Sequence, residues 1–304
     1  MEKIIEVKGL KKNYGPVEAV KGIDFYVEKG KLFAFLGPNG AGKTTTINVI
    51  CTLLTMNAGE VIVNEKLVGK DDDAIREDIG IVFQEGVLDQ LLTVKENLVV
   101  RGSFYHMEKE VLDKAADDAM KVVDIVDLQN RRYGTLSGGQ KRRADIARAL
   151  IHHPKILFLD EPTTGLDPQT RKNVWNTIQE LQRSTGMTIF LTTHYMEEAE
   201  EADFVIVIDN GLIAAKGTPT DLKDEYSYDT LRIKPMDENE IEIILKDHKI
   251  DYVKKNELII VSLADTLSAI PILSLLEGKI ESFQVLNGTM DDAFIGITGK
   301  EIRG

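Results

Sequence analysis

The chain has 304 residues, enough for two domains of about 150 residues each, and its 43% of hydrophobic residues is typical of a globular protein. It carries 37 Lys and Arg against 50 Asp and Glu, and the formal net charge of -13 disfavours a protein whose main partner is a nucleic-acid backbone. The single cysteine, Cys51, excludes an intramolecular disulfide and fits a reducing, cytoplasmic setting. No apolar stretch approaches the ~20 residues that span a bilayer, so we expect the chain itself not to cross a membrane.

Short apolar runs alternate with longer helical patterns through the first two thirds of the chain, which predicts an α/β fold with a largely parallel sheet. Unbroken hydrophobicity at 156–159 indicates a strand covered on both faces, whereas residues 22–27 alternate as an antiparallel strand does. We therefore expect a mixed sheet. The predicted strands of this part are 32–36, 79–83, 156–159, 188–191 and 204–208.

The strand pattern is interrupted at about 85–135, where the residues favour helices, among them one at 111–128. Asp209-Asn210-Gly211 separates two apolar runs and predicts a hairpin, because Asn-Gly tolerates positive φ. Composition changes near residue 222. The sequence thus predicts one domain at 1–222, containing the helical insertion, and a small accessory α+β domain at 223–304 with strands near 230–234, 258–263 and 279–286.

A glycine-rich segment at 37–45, GPNGAGKTT, follows the predicted strand 32–36 and precedes a helical pattern, as in a phosphate-binding P-loop. Glycines let backbone N–H groups converge on phosphate oxygens, while a lysine reaches the terminal phosphates and a threonine hydroxyl can ligate Mg²⁺. The candidate residues are Gly37, Pro38, Asn39, Gly40, Ala41, Gly42, Lys43, Thr44 and Thr45.

Two carboxylates, Asp160 and Glu161, follow the buried strand 156–159, and His194 ends the strand that begins at residue 188. The carboxyl ends of strands are where open α/β sheets bind ligands. We interpret Asp160 as a Mg²⁺ ligand and Glu161 as the general base that polarises an attacking water. A turn that merely ends a strand, and a structural histidine, are the alternatives.

The segment Leu136-Ser137-Gly138-Gly139-Gln140 precedes a predicted helix, with Ser137 as its N-cap. We place the three cations at 141–143 in the first turn. Their interaction with the helix dipole is unfavourable there unless a nearby anion compensates for it. Ser137 and the amides of Gly138 and Gly139 would offer a phosphate such a place. A capped helix with a solvated basic face is the alternative.

These motifs and their order resemble the ATP-binding cassette (ABC) family over residues 1–222. The resemblance implies a P-loop NTPase cassette with a mixed-sheet core and a helical subdomain, which binds ATP and Mg²⁺. It adds Tyr14 as the adenine-stacking residue, Gln84 as the residue that senses Mg²⁺ and the γ-phosphate, and Asp167 as the D-loop aspartate. The implied catalytic residues are Glu161, His194, Lys43 and Gln84, the metal-binding residues are Thr44, Gln84 and Asp160, and the 136–140 segment with Gln140 is the signature motif.

The same resemblance implies partners. Two cassettes pack head to tail with ATP between the P-loop of one and Ser137-Gly138-Gly139 of the other, so we expect a homodimer that powers a separately encoded polytopic permease at the inner face of the cell membrane. Segments 82–98 and 289–299 are similar to those of drug-resistance and ABC-2 exporters, which favours export. Leu88, Leu91 and Leu92 are candidate permease contacts or ordinary core leucines. A soluble ABC ATPase acting on nucleic acid or ribosomes is the alternative, although no nucleic acid is expected.

Overall fold

Three sheets organise residues 2–299, the part of the chain that the computed structural model describes. Contacts divide the chain between Thr218 and Pro219, a few residues before the predicted boundary near 222. The first unit contains strands β1 (Lys3–Tyr14), β2 (Val17–Glu28), β3 (Leu32–Leu36), β4 (Ala58–Val63), β5 (Lys66–Leu67), β6 (Ile79–Val82), β7 (Ile156–Asp160), β8 (Thr188–Thr193), β9 (Phe204–Asp209) and β10 (Leu212–Gly217). Its helices are α1 (Lys43–Ile50), α2 (Asp72–Asp78), α3 (Val94–Gly102), α4 (Lys109–Val122), α5 (Gly138–Leu150), α6 (Pro168–Thr185) and α7 (Met196–Glu200).

The central sheet has the order β10-β9-β3-β8-β7-β6, and every pair except the β9–β10 hairpin is parallel. Strands β3, β7 and β8 are buried along their whole length, as the unbroken hydrophobicity at 156–159 predicts for β7. In register, Leu36 lies beside Thr193 and Asp160 beside Thr192. The carboxyl ends of three neighbouring strands therefore meet at one edge of the sheet.

The antiparallel strand expected at 22–27 is part of β2, but it belongs to a separate sheet of order β2-β1-β4-β5. The mixed character of the central sheet comes from β10 alone. Aromatic side chains fill the space between these layers: the rings of Phe33 and Phe190 have centroids 4.9 Å apart, and those of Phe25 and Phe35 5.5 Å. These rings belong to the hydrophobic core of the first unit.

The region between β6 and β7 is helical, as the sequence predicts for 85–135. Helix α3 begins with a Thr93–Glu96 capping box. Helix α4 ends at Val122 rather than continuing to residue 128, because Asp124 adopts a φ of 53° and interrupts the helical backbone. No helix among residues 2–299 is both long enough and apolar enough to span a bilayer.

The second unit begins with α8 (Pro219–Tyr226) and continues through β11 (Asp229–Pro235), α9 (Glu238–Asp247), β12 (Val253–Lys255), β13 (Leu258–Leu263), α10 (Ala269–Leu275), β14 (Ile280–Leu286) and α11 (Met290–Thr298). Its sheet is antiparallel with the order β12-β13-β11-β14. From β11 to β14 the chain follows the split β-α-β arrangement of ferredoxin-like folds. Leu231, Ile233 and Ile259 from the sheet pack with Ile241 and Leu245 of α9 in a separate core.

Candidate nucleotide-binding and catalytic site

The loop between β3 and α1 has a backbone that only glycine accommodates at several points. A Cβ on Gly37 would overlap the carbonyl oxygen of Ile208. Gly40 and Gly42 have φ angles of 80° and 107°, and a Cβ on Gly42 would lie 2.6 Å from the carbonyl oxygen of Ala19. Gly42 is also the N-cap of α1, so the loop leads directly into a helix N-terminus that favours anions.

Lys43 is buried beneath this loop, with 4% of its surface exposed. Its Nζ donates hydrogen bonds to the carbonyl oxygens of Gly37 at 2.8 Å and Pro38 at 3.2 Å, and it lies 3.1 Å from Oε1 of Glu161. A cleft of about 300 Å³ opens over these residues. It is lined by Ala19, Asn39, Gly40, Gly42, Lys43, Thr44, Thr45, Gln84 and Glu161.

Asp160 is buried at the end of β7 and receives two hydroxyl groups. Thr192 Oγ1 donates to Asp160 Oδ1 at 2.6 Å, and Thr44 Oγ1 donates to the same oxygen at 3.2 Å. The P-loop threonine and the strand-end aspartate are thus in direct contact, although 116 residues separate them in sequence. Their oxygens form a compact donor set of the kind that Mg²⁺ prefers.

Glu161 is buried with a strained backbone, at φ 45°. Its N–H donates to the carbonyl oxygen of Thr192 at 3.2 Å and to Thr192 Oγ1 at 3.1 Å, and Thr164 Oγ1 donates to its Oε2 at 3.1 Å. The His194 imidazole, with Nδ1 3.3 Å from Oε2, and then the Lys43 ammonium lower the pKa of Glu161 to about 2. The carboxylate is therefore fully ionised at neutral pH.

The signature segment is built from local interactions. Ser137 caps α5 through a capping box in which the Gln140 N–H donates to Ser137 Oγ at 3.4 Å and the Ser137 N–H to Gln140 Oε1 at 3.0 Å. Ser137 and Gly138 are exposed. Gly139 is buried against α6, and a Cβ there would overlap Thr170 Cγ2.

The three cations expected in the first turn of α5 lie instead in its second turn, because the helix begins at Gly138. The dipole penalty predicted for them is smaller there, since it falls off within the first turn. Each has a partner within the chain: Lys141 lies over the Tyr133 ring, Arg142 bonds backbone carbonyls, and Arg143 bonds the carbonyl of Asp124. These cations do not by themselves require a bound anion.

The remaining candidate residues are Tyr14, Gln84 and Asp167, which lie on three different elements or loops. Tyr14 is 49% exposed at the end of β1, with Lys12 Nζ 5.6 Å from its ring centroid. Gln84 follows β6 on the cleft wall. Asp167 is the N-cap of α6: Thr170 N–H donates to it at 3.0 Å, and its bonds with Thr170 lower the pKa of its carboxyl. Direct contacts thus bring together Lys43, Thr44, Asp160, Glu161 and His194. None of Ser137, Gly138, Gly139, Gln140 and Asp167 lines the cleft.

Sequence reasoning missed three residues of the site. Thr192 bonds both Asp160 and the Glu161 backbone, Thr164 bonds the Glu161 carboxylate, and Arg142 bonds the Glu161 carbonyl. Thr192 lies next to the end of β8 and two positions before His194, and a polar residue so close to the end of a buried strand was an available signal. Nothing in the sequence marks Arg142 apart from its neighbouring cations.

A parallel sheet whose edge carries this loop, lysine and carboxylate arrangement is that of P-loop nucleoside triphosphatases. The family model described as ABC transporter matches residues 20–164. The chain is 35% identical to the linearmycin resistance ATP-binding protein LnrL of Bacillus subtilis, with 99% of this chain and 100% of that protein aligned. It is also 35% identical to the daunorubicin resistance ATP-binding protein DrrA3 of Streptomyces coeruleorubidus, over 98% and 97% of the two chains.

A third relative, the Nod factor export ATP-binding protein I of Rhizobium sp., is 40% identical over 73% of each chain. Among solved structures, cbiO1 of Clostridium perfringens, part of an ABC transporter complex, superposes with a TM-score of 0.68 at 31% identity, over 73% of this chain and 91% of cbiO1. The dimeric ATP-binding cassette MJ0796 bound to ADP and Pi gives a TM-score of 0.64 at 30% identity, over 70% and 98%. The chain belongs to the ABC transporter family, as one of its ATP-binding, ATP-hydrolysing cassettes.

Proposed function

We propose that this protein is the subunit that hydrolyses ATP to power export through a separate membrane permease. The observation that carries the proposal is the Glu161 carboxylate, which is buried and ionised between Lys43 and His194 at the wall of the P-loop cleft. A cassette that did not hydrolyse ATP would not require a buried, ionised carboxylate at this position. The similar proteins, two antibiotic resistance proteins and a Nod factor export protein, support the direction of transport.

The chemistry needs a base for the attacking water and positive charge for the phosphoryl group. Glu161 accepts the proton from water, and Lys43 with the P-loop amides stabilises the charge of the transferred group, without a covalent intermediate. A pKa near 2 makes a weak base. Phosphate oxygens that engage Lys43 withdraw its charge from Glu161, which raises the pKa of that carboxyl toward the working range.

Mg²⁺ fits the residues present. The Asp160 carboxylate and Thr44 hydroxyl meet at 3.2 Å, and Gln84 supplies an amide oxygen on the same cleft wall. Mg²⁺ commonly takes one or two protein carboxylates and completes its shell with water and substrate phosphates. Residues 2–299 contain no cluster of three or more acidic, histidine or cysteine side chains that would favour another metal site. When bound, the ion supplies neutralisation of phosphate charge.

A second copy of the chain completes the site. Ser137 and Gly138 are exposed, and the signature segment does not line the cleft of its own chain. Head-to-tail packing brings the signature of one copy to the P-loop of the other. The similar cassette MJ0796, with ADP and Pi bound, is a dimer, which supports this arrangement.

The helical region presents the surface that we assign to the permease. Leu91, Val100, Phe104 and Val111 are 76%, 47%, 67% and 58% exposed. Of the three leucines proposed from sequence, Leu91 remains a candidate, Leu92 is partly buried, and Leu88 is a core residue at 6% exposure. Docking through this surface would place the protein at the cytoplasmic face of the membrane.

The test uses Glu161→Gln, which keeps the site but removes the base. With ATP and Mg²⁺, light scattering should give twice the 33.9 kDa mass of one chain. Adding Ser137→Arg to the variant should return the mass to one chain while ATP binding persists. A mass that stays at that of one chain with saturating ATP would contradict the dimer. The transport role would be contradicted if nucleic acid, rather than a co-purified membrane protein, stimulated the ATPase activity.

A further inference from the structure

Glu198 is a buried carboxylic acid that has no part in the chemistry described above. It lies on the short helix α7 and is 3% exposed. Its Oε1 accepts a hydrogen bond from the hydroxyl group of Thr163, which is completely buried. Neither residue lines the P-loop cleft, so any effect of this pair on hydrolysis acts through neighbouring residues.

Each member of the pair is close in sequence to a residue that contacts the Glu161 carboxylate. Thr163 precedes Thr164, whose Oγ1 donates to Glu161 Oε2 at 3.1 Å. Glu198 lies in the first turn of the helix that follows His194, and His194 Nδ1 is 3.3 Å from the same carboxylate oxygen. The two segments are therefore joined twice, once at Glu161 Oε2 and once by the Thr163–Glu198 hydrogen bond.

The turn that follows Glu161 has long backbone hydrogen bonds of its own. The Thr164 N–H donates to the Glu161 carbonyl oxygen at 3.3 Å, and the Leu166 N–H donates to the Thr163 carbonyl oxygen at 3.2 Å. The Glu161 backbone, at φ 45°, is in a strained conformation. The bond from Thr163 to Glu198 adds a restraint from a different element, and this restraint positions the Thr164 hydroxyl at the carboxylate.

Packing alone does not explain a carboxyl group at position 198. Burying such a group is unfavourable unless it is hydrogen-bonded. Burial raises the pKa of Glu198, and hydrogen bonding to the hydroxyls of Thr163 and then Thr193 opposes that shift. Well-packed apolar residues often give a buried site at least equal stability. The polar pair is therefore better explained by the geometry that it imposes than by a gain in stability.

We infer that Glu198 is a positioning residue for hydrolysis, which acts through Thr163 to fix the orientation of the Glu161 carboxylate. Held by its two contacts at Oε2, this carboxylate presents its other oxygen, Oε1, to the attacking water. Oε1 lies 3.1 Å from Lys43 Nζ, and phosphate oxygens that engage the lysine release it for that role. The inference rests on the proposed function for the role of Glu161 as the general base.

The test uses two pairs of variants of the full chain. Glu198→Leu removes the hydrogen-bond acceptor, whereas Glu198→Gln keeps an acceptor oxygen at the same reach. Thr163→Val removes the donor hydroxyl at nearly the same volume, whereas Thr163→Ser keeps it. Glu197→Leu is the matched control, because Glu197 is the adjacent acid in the same turn of α7 and is exposed. For each variant we measure kcat, the KM for ATP and the thermal unfolding midpoint.

Glu198→Leu and Thr163→Val should each lower kcat by about 10- to 100-fold, the cost of misplacing a catalytic group by about 1 Å, and keep KM within about threefold. The double variant should lose no more than either single variant, because both changes break the same bond. Glu198→Gln, Thr163→Ser and Glu197→Leu should keep kcat within about threefold. Normal kcat in Glu198→Leu, or an equal loss in Glu198→Gln, would overturn the inference.

A second background separates positioning from a general structural role. In Glu161→Gln the residual hydrolysis no longer depends on the base, so adding Glu198→Leu should lower its rate by less than about threefold. A further loss as large as that in the intact chain would show that Glu198 does not act through Glu161, and would overturn the inference. If Glu198→Leu does not fold, Thr163→Val supplies the comparison. Failure of both to fold would assign the pair to the core and also overturn the inference.

A crystal structure of Glu198→Leu separates this inference from the proposed function. The hydrogen bond between Thr164 Oγ1 and Glu161 Oε2, which is 3.1 Å long in the intact chain, should be absent from the variant. Its retention would overturn the inference whether or not Glu161 is the base. Normal hydrolysis by Glu161→Gln would instead contradict the proposed function, and the position of Thr164 in the variant would still show whether Glu198 orients the carboxylate.

Discussion

The two halves of the proposed nucleotide site are built in different ways. Around Lys43 and Glu161, 4% and 7% exposed, contacts between residues distant in sequence hold the charged groups: Lys43 Nζ lies 3.1 Å from Glu161 Oε1, and His194 Nδ1 lies 3.3 Å from Glu161 Oε2. Around Ser137 and Gly138 the backbone is exposed and the main contact is a capping box within four residues. The first half is organised by the tertiary structure of its own chain, whereas the second depends on a helix terminus and, in the dimer that we propose, is completed by the second copy.

The largest effect is expected from Glu161→Gln. Removal of the base should lower kcat by roughly 10²- to 10⁴-fold, the usual contribution of general-base catalysis, while ATP affinity is retained. Single-turnover hydrolysis and nucleotide binding, measured on one preparation, would check the loss of kcat and the retention of ATP affinity. A variant that hydrolyses ATP at the normal rate would remove Glu161 from the mechanism.

The buried half of the site, around Glu161, should make the stability of the chain sensitive to acid. The pKa of Glu161 is lowered from 4.5 to about 2, which corresponds to about 3 kcal/mol of folding free energy. Because the folded pKa is the lower one, this stabilisation is fully present above pH 4.5 and is lost as the pH falls through about 2. Urea unfolding of the nucleotide-free chain should show that the stability difference between it and Glu161→Gln shrinks between pH 5 and pH 3. A constant difference would mean that the carboxylate is not stabilised by His194 and Lys43.

Gly139→Ala tests how closely the signature half packs against α6. The new Cβ would overlap Thr170 Cγ2, so we expect a loss of about 1–3 kcal/mol in unfolding free energy from overpacking. Thr170→Ser removes that methyl group and should restore most of the loss in the double variant. If stability is unchanged in Gly139→Ala, the glycine is required by the partner or the nucleotide rather than by α6.

The smallest effect is expected at the exposed surface of the helical region. Leu91→Ser should change the unfolding free energy by no more than about 0.5 kcal/mol and leave basal ATPase activity unaltered, because the side chain is 76% exposed. Leu88→Ser, at a position 6% exposed, should instead cost about 2–4 kcal/mol. Co-purification with the permease should fall in Leu91→Ser, and retention of the complex would move the docking surface elsewhere.

Much of the architecture is readable in the sequence because it depends on local chemistry. The continuous apolar residues of β3 and of 156–159 in β7 predict burial on both faces, the 37–45 glycines predict a phosphate-binding loop, and Asn210-Gly211 predicts a tight hairpin. The predicted end of α4 is wrong because the apolar periodicity continues past Val122, whereas the backbone turns at Asp124.

Contacts across long sequence separations were decided only by the tertiary structure. Strand order places Thr192 against Asp160 and Lys43 against Glu161, and neither pair has a local signature. Arg142 shows the difference most clearly. In the sequence it is one of three cations on a helix, but packing of α5 buries it and directs it to carbonyls at residues 83, 84 and 161. Hydrophobic patterns and turn chemistry depend on residues a few positions apart, so they can be read from the sequence. The partner of a buried charge depends instead on which strands and helices lie side by side.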